Sequence, residues 1–111
     1  MTGEETKTVF PVRGLSGTVW VPGDKSVSHR AAFLGCLSKD GIEVANYSPG
    51  ADCASTLRCL RQLGFSVTRQ EGGVRVSRGE GPGEPTATLD AGNSGTTARL
   101  LCGLLSGISG V

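Results

Sequence analysis

Histidine is nearly absent from this chain: His29 is the only one among 111 residues, and the four cysteines, Cys36, Cys53, Cys59 and Cys102, show no CxxC spacing. A zinc centre or disulfide framework needs such ligands clustered, so each cysteine reads instead as a small core residue in or beside a helix-like pattern. An excess of one charge is missing too, since 11 Lys+Arg against 10 Asp+Glu leave a net charge of +1. That balance supplies no global field for nucleic acid or an anionic membrane, and any anion must be bound locally. No apolar run approaches the roughly 20 residues of a membrane span, and neither a signal peptide nor an Arg/Ser-rich transit peptide is visible, so the expectation is a soluble, cytoplasmic protein. A G-x4-G-K-[ST] phosphate loop is also lacking, because Lys25 is not preceded by the required glycines.

Glycine, by contrast, is abundant: 18 of the 111 residues, more than double the usual share of about 7%. Apolar residues stand at an ordinary 37% and keep clear periodicity, so the glycines punctuate a folded chain of one-domain size. Only Gly79-Glu-Gly-Pro-Gly-Glu-Pro85 reads as a flexible loop or, equally, an ordered crossing between strands, and residues 1–8 form a polar tail.

Val9 to Val21 suggests one or two short strands, with Gly17 to Val21 the clearest, ended by Pro22-Gly23. Val27, Ala31, Leu34 and Leu37 then follow helical spacing, predicting a helix over Ser26–Ser38 with Gly41 as its stop. Ile42 to Tyr47 alternates as a strand. Asp52 is placed to cap a second helix carrying Cys53, Leu57 and Leu60, with Gly64 as its C-terminal glycine. Phe65–Arg69 and Val74–Arg78 alternate around Glu71-Gly72-Gly73 as a hairpin. Thr86 to Asp90 reads as a further strand, and Asn93-Ser-Gly-Thr-Thr97 opens a third helix through Leu100, Leu101, Leu104 and Leu105.

The three helix starts fit one template. Asp24-Lys-Ser-Val-Ser-His-Arg30, Asp52-Cys-Ala-Ser-Thr-Leu-Arg58 and Asn93-Ser-Gly-Thr-Thr-Ala-Arg99 all read [DN]-x3-[ST]-x-R. The longer interval, between the second and third, contains the hairpin, as repeated β-α-β-α-β-β units require. One reading is purely structural: Asp or Asn caps the helix, the hydroxyl lies in its first turn and the arginine stem packs on a neighbour, which for Arg58 stands level with a ligand role. The other is anion binding. Gly23 lets the backbone approach a ligand, first-turn N–H groups point outward, and Lys25 and Arg30 add full charge. Asp90-Ala-Gly-Asn-Ser-Gly-Thr-Thr97 is a second such cradle, with Arg99 behind it.

Leu15-Ser-Gly, Pro22-Gly-Asp-Lys-Ser-Val-Ser-His-Arg30, Pro49-Gly-Ala-Asp-Cys53, Ser55-Thr-Leu-Arg58 and Leu89-Asp-Ala-Gly-Asn-Ser-Gly-Thr-Thr-Ala-Arg99, in this order, closely resemble the amino-terminal part of the 5-enolpyruvylshikimate-3-phosphate synthases. The resemblance covers nearly the whole chain after the tail. It implies an α/β fold of repeated β-α-β-α-β-β units, the inside-out α/β barrel of enolpyruvyl transferases, incomplete here. Residues 9–21 would belong to the second domain and 22–111 to a partial first domain. It also implies transfer of the enolpyruvyl group from phosphoenolpyruvate to the 5-hydroxyl of shikimate 3-phosphate, with neither metal nor organic cofactor. Carried over by motif, Lys25, Ser26 and Arg30 would contact shikimate 3-phosphate, and Lys25 and Gly95 phosphoenolpyruvate. Lys25 would be the catalytic group of this portion, with Asn93, Thr96 and Arg99 in support. Gly95 and Thr96 occupy the positions governing response to the inhibitor glyphosate, and Gly95 implies a sensitive type. The family's later arginines and its acidic and lysine proton carriers are not in this chain. It would therefore need the remainder of the enzyme as partner and show no turnover alone. A non-catalytic binding module for a phosphorylated metabolite is the alternative.

Overall fold

The computed structural model describes residues 3–85 and 87–109. Its elements run α1 (Lys25–Leu37), β1 (Ile42–Ala45), α2 (Ala51–Gln62), β2 (Ser66–Gln70), β3 (Gly73–Ser77) and α3 (Gly95–Ser106). The order α-β-α-β-β is the anticipated repeat unit without its first strand.

Each helix begins where a local signal allows it. Asp24 is extended and its carboxylate accepts the Val27 N–H at 2.7 Å, a capping bond that stabilises by roughly 0.5–2 kcal/mol. The other two caps differ from expectation. Gly50, not Asp52, caps α2, leaving Asp52 within the first turn where its charge favours the helix dipole, and Ser94, not Asn93, caps α3 by accepting the Thr97 N–H at 3.1 Å. At the far end of α2, Gly64 donates to the Arg61 carbonyl and Phe65 to that of Leu60, the paired bonds of a Schellman ending.

The sheet has order β1-β3-β2 with both pairings antiparallel; Val44 faces Val74, and Val67 faces Val76. The two-residue turn Glu71-Gly72 joins β2 and β3 as the hairpin pattern requires. Val74 and Val76 turn to the helices and are buried, whereas Arg75 between them points outward to Glu43. α2 and its C-cap supply the largest buried side chains, Leu57, Leu60 and Leu63, each stabilising by about 1.5–3 kcal/mol relative to exposure. Ala32, Phe33 and Cys36 of α1, Phe65 and Leu101 complete the core.

Further expectations fail. Residues 9–21 form no strand: Val9, Leu15, Val19 and Trp20 are 81–92% exposed, and an extended segment without a partner cannot complete its hydrogen bonds. Residues 87–90 are likewise irregular, while Thr86 lies outside the described residues. On α1, the apolar spacing of Val27, Leu34 and Leu37 marks an exposed face, because Ser28, His29, Ala32, Phe33, Gly35 and Cys36 are the side turned to α2 and the sheet. Cys36, Cys53 and Cys59 are buried free thiols as anticipated, but Cys102 is exposed. Among the described residues, no helix is long and apolar enough to cross a membrane.

Candidate functional site

The hydroxyl position of the repeated template is the most buried polar feature of the fold. Ser28, Thr56 and Thr97, one from each helix start, are 3%, 0% and 0% exposed. Thr56 Oγ1 lies 2.8 Å from Thr97 Oγ1 and 2.7 Å from His29 Nδ1. Thr97 Oγ1 is also 2.7 Å from Ser94 Oγ and 3.3 Å from the Asp52 carbonyl oxygen. Ser28 donates to the Asp24 carbonyl and accepts the Ser48 N–H, tying α1 to the segment leaving β1. The Cys53 thiol donates to the Lys25 carbonyl and the Tyr47 hydroxyl to that of Cys53. Thus the amino ends of α1, α2 and α3 are joined by buried polar contacts, and their free N–H ends gather in one region. Sequence reading missed this role, since the template placed the hydroxyls only in the first turn of each helix.

Lys25 is the first residue of α1, with its side chain more than half exposed, and its Nζ lies 2.6 Å from Asp52 Oδ2 on α2. The hydrogen bond and charge of Asp52 raise the lysine above its ordinary pKa, so the ammonium stays charged. Both line a shallow cleft of about 200 Å³ with Ser48, Gly50, Ala51 and Cys53. Burial pushes the Cys53 thiol up, so it offers the cleft no thiolate. His29, directly behind Lys25 in the helix, is fully buried and its pKa is lowered by that burial and by the lysine charge.

The remaining sequence-predicted residues fall into two exposed groups. Ser26 and Arg30 stand on α1 beside Lys25, where the Arg30 Nε donates to the Ser26 carbonyl at 3.3 Å. Asn93, Gly95, Thr96 and Arg99 stand on the exposed start of α3. Arg58, in contrast, is spent on the fold: its Nη2 donates to the Asp90 carbonyl and Ser55 Oγ.

Two glycines carry opposite meanings. A Cβ on Gly23 would overlap the Asn46 carbonyl, so this glycine permits backbone packing between the approach to α1 and the exit of β1 rather than approach to a ligand. A Cβ on Gly95 would meet only the tip of Arg99, 2.7 Å from Nη1, which can swing away. No protein backbone demands a glycine at 95. Among the described residues, no group of three or more His, Cys, Asp or Glu side chains is placed to hold a metal ion.

The model of the family described as EPSP synthase (3-phosphoshikimate 1-carboxyvinyltransferase) matches residues 9–111. The chain belongs to the EPSP synthase family. It is 54% identical over 99 residues to the 3-phosphoshikimate 1-carboxyvinyltransferase of Geobacillus kaustophilus, covering 86% of this chain and 23% of that protein. Identity to the enzyme of the same name from Desulforudis audaxviator is 48% over 105 residues, or 92% of this chain and 24% of the relative. The solved EPSP synthase from Acinetobacter baumannii superposes with a TM-score of 0.72 at 39% identity, over 81% of this chain and 21% of that one. The α/β architecture is therefore part of an enolpyruvyl transferase domain. The chain spans about a quarter of the length of the curated relatives it matches.

Proposed function

We propose that this chain provides part of the substrate-binding surface of an enzyme that transfers the enolpyruvyl group of phosphoenolpyruvate to the 5-hydroxyl of shikimate 3-phosphate, releasing phosphate. The observation that carries the proposal is Lys25: a charged, half-exposed ammonium at a helix amino end, held by Asp52, in a chain of the EPSP synthase family. Ser26 and Arg30, exposed on the same turn, bind the phosphate and carboxylate of shikimate 3-phosphate by charge-assisted hydrogen bonds, each contributing about 1.5–3 kcal/mol. Lys25 also neutralises phosphoenolpyruvate where the two anions meet. As an ammonium on a mobile stem it can help proton transfer between the substrates, while Asp52 accepts its hydrogen bond and keeps it charged.

Gly95 keeps the start of α3 open for the small phosphoenolpyruvate molecule. Its freedom from backbone crowding supports this, because the fold gives no other reason for a glycine there. Glyphosate, an anion of similar size that also carries a phosphorus oxyanion and a carboxylate, would compete at the same place. Asn93 and Thr96 add donors around it, and Arg99 a second charge.

The catalytic set is completed by other parts of the polypeptide. Residues 9–21 belong to the second domain, which covers their exposed Phe10, Leu15 and Trp20, and the apolar groove of about 340 Å³ between α1 and α3 packs against the rest of the first domain. Within the cell the expected location is the cytoplasm. The 111-residue chain alone turns nothing over. A coupled assay of phosphate release with both substrates tests this: no rate above background is expected, and turnover by the pure chain would contradict it.

A further inference from the structure

Thr56 is fully buried and has two polar partners, His29 Nδ1 and Thr97 Oγ1. A hydroxyl has one proton, so it donates to one of them and accepts from the other. If Thr56 donates to His29 Nδ1, the neutral ring carries its proton on Nε2, and that nitrogen is buried with no hydrogen-bond partner among the described residues. A buried N–H without an acceptor is the arrangement proteins most consistently avoid. If His29 instead donates from Nδ1, Thr56 donates to Thr97, Thr97 donates onward to the Asp52 carbonyl, which can only accept, and the buried Ser94 hydroxyl donates to Thr97. Every proton then has an acceptor, and only the Nε2 lone pair is unused. A protonated ring would bury the same unpaired N–H beside the Lys25 charge, and burial keeps it neutral.

We infer that His29, Thr56 and Thr97 form a hydrogen-bond chain of fixed direction, running from His29 Nδ1–H to the Asp52 backbone, and that Thr97 is thereby a positioning residue for the Lys25–Asp52 pair. The chain enters from α1, passes through α2, turns at α3 and ends on the carbonyl of the residue whose carboxylate grips Lys25. Three separate helix starts are thus held in one register behind the ion pair. The functional part of this inference rests on the substrate-binding reading of Lys25 given above.

The test is 15N NMR of the ring nitrogens of His29 in the 111-residue chain, together with the titration of Lys25 Nζ, in the wild type, Thr97→Val and Thr97→Ser. The wild-type ring is expected to carry its proton on Nδ1. In Thr97→Val, Thr56 loses its acceptor and turns to His29, so the proton shifts toward Nε2 and the Lys25 pKa falls toward its ordinary value. Thr97→Ser restores both. A wild-type ring protonated on Nε2 overturns the inference, as does a folded Thr97→Val chain with an unchanged tautomer or unchanged Lys25 titration. Should Thr97→Val fail to fold, the wild-type tautomer alone still decides the direction of the chain. Neither readout involves substrate, so a failure of shikimate 3-phosphate to bind would remove the proposed function and leave this result standing.

Discussion

The Lys25 ammonium and the Asp52 carboxylate meet at 2.6 Å across the first turns of two different helices. Because the pair raises the folded-state pKa of Lys25, its contribution to stability is present below the ordinary lysine value of 10.5 and is lost as pH rises through the higher folded value. Asp52→Asn removes the partner. NMR titration of Lys25 Nζ should therefore give a lower pKa in the variant, and the variant's stability should fall less steeply above pH 10.5. Cys36, pushed up to about 11 by burial, adds a loss over part of that range in both proteins, so the difference between them is the quantity to read.

His29 acts in the opposite pH direction. Its folded pKa is lowered from 6.5 by burial, so the stability it contributes is present above 6.5 and is lost as pH falls through the depressed value. Thermal melts should show the wild type losing stability on acidification from pH 7.5 to 5.5. His29→Asn should start less stable but lose less over the same interval.

The hydroxyls of Thr56 and Thr97 form one unit. Replacing either by valine takes one buried hydrogen-bond partner from the other and should cost about 1–3 kcal/mol. Replacing both loses that shared contact only once, so the double variant should lose clearly less than the two single losses added together, by urea unfolding. Strict additivity would show that the 2.8 Å contact carries no coupling.

The template that revealed three helix starts in the sequence was sound as a pattern, yet its parts proved unequal. Asp24 caps as its type and position require, whereas Asp52 and Asn93 leave that role to Gly50 and Ser94. Local preference names the group able to cap, but the neighbouring chain decides which residue enters the helix. α2 and the hairpin were legible because their apolar residues pack within the unit. The apolar spacing of Val27, Leu34 and Leu37, and of residues 9–21, was equally visible but marks surface that stays exposed in this chain. Burial of the [ST] position was not legible, since a hydroxyl at a helix start has the same spacing whether it faces water or another hydroxyl. His29 could have signalled it: one residue past the template's serine, it is the most polar ring in the sequence and faces Thr56.

Gly23 and Gly95 separate packing from function. Gly23→Ala should cost several kcal/mol or prevent folding, because the added carbon overlaps the Asn46 carbonyl and backbone must shift. Gly95→Ala meets only the mobile tip of Arg99 at a helix start, so unfolding should register a change within about 0.5 kcal/mol or a slight gain. In the full-length family enzyme bearing this segment, the same Gly95→Ala change should raise the KM for phosphoenolpyruvate and weaken inhibition by glyphosate.

The shikimate 3-phosphate surface proposed above is Lys25, Ser26 and Arg30 on the start of α1. Titrating shikimate 3-phosphate into isotopically labelled 111-residue chain and following Lys25 Nζ and the backbone amides tests it most directly. Saturable shifts centred on Lys25, Ser26 and Arg30 are expected, and they should disappear in Lys25→Ala. Shifts centred elsewhere, or a response that Lys25→Ala leaves intact, would contradict it.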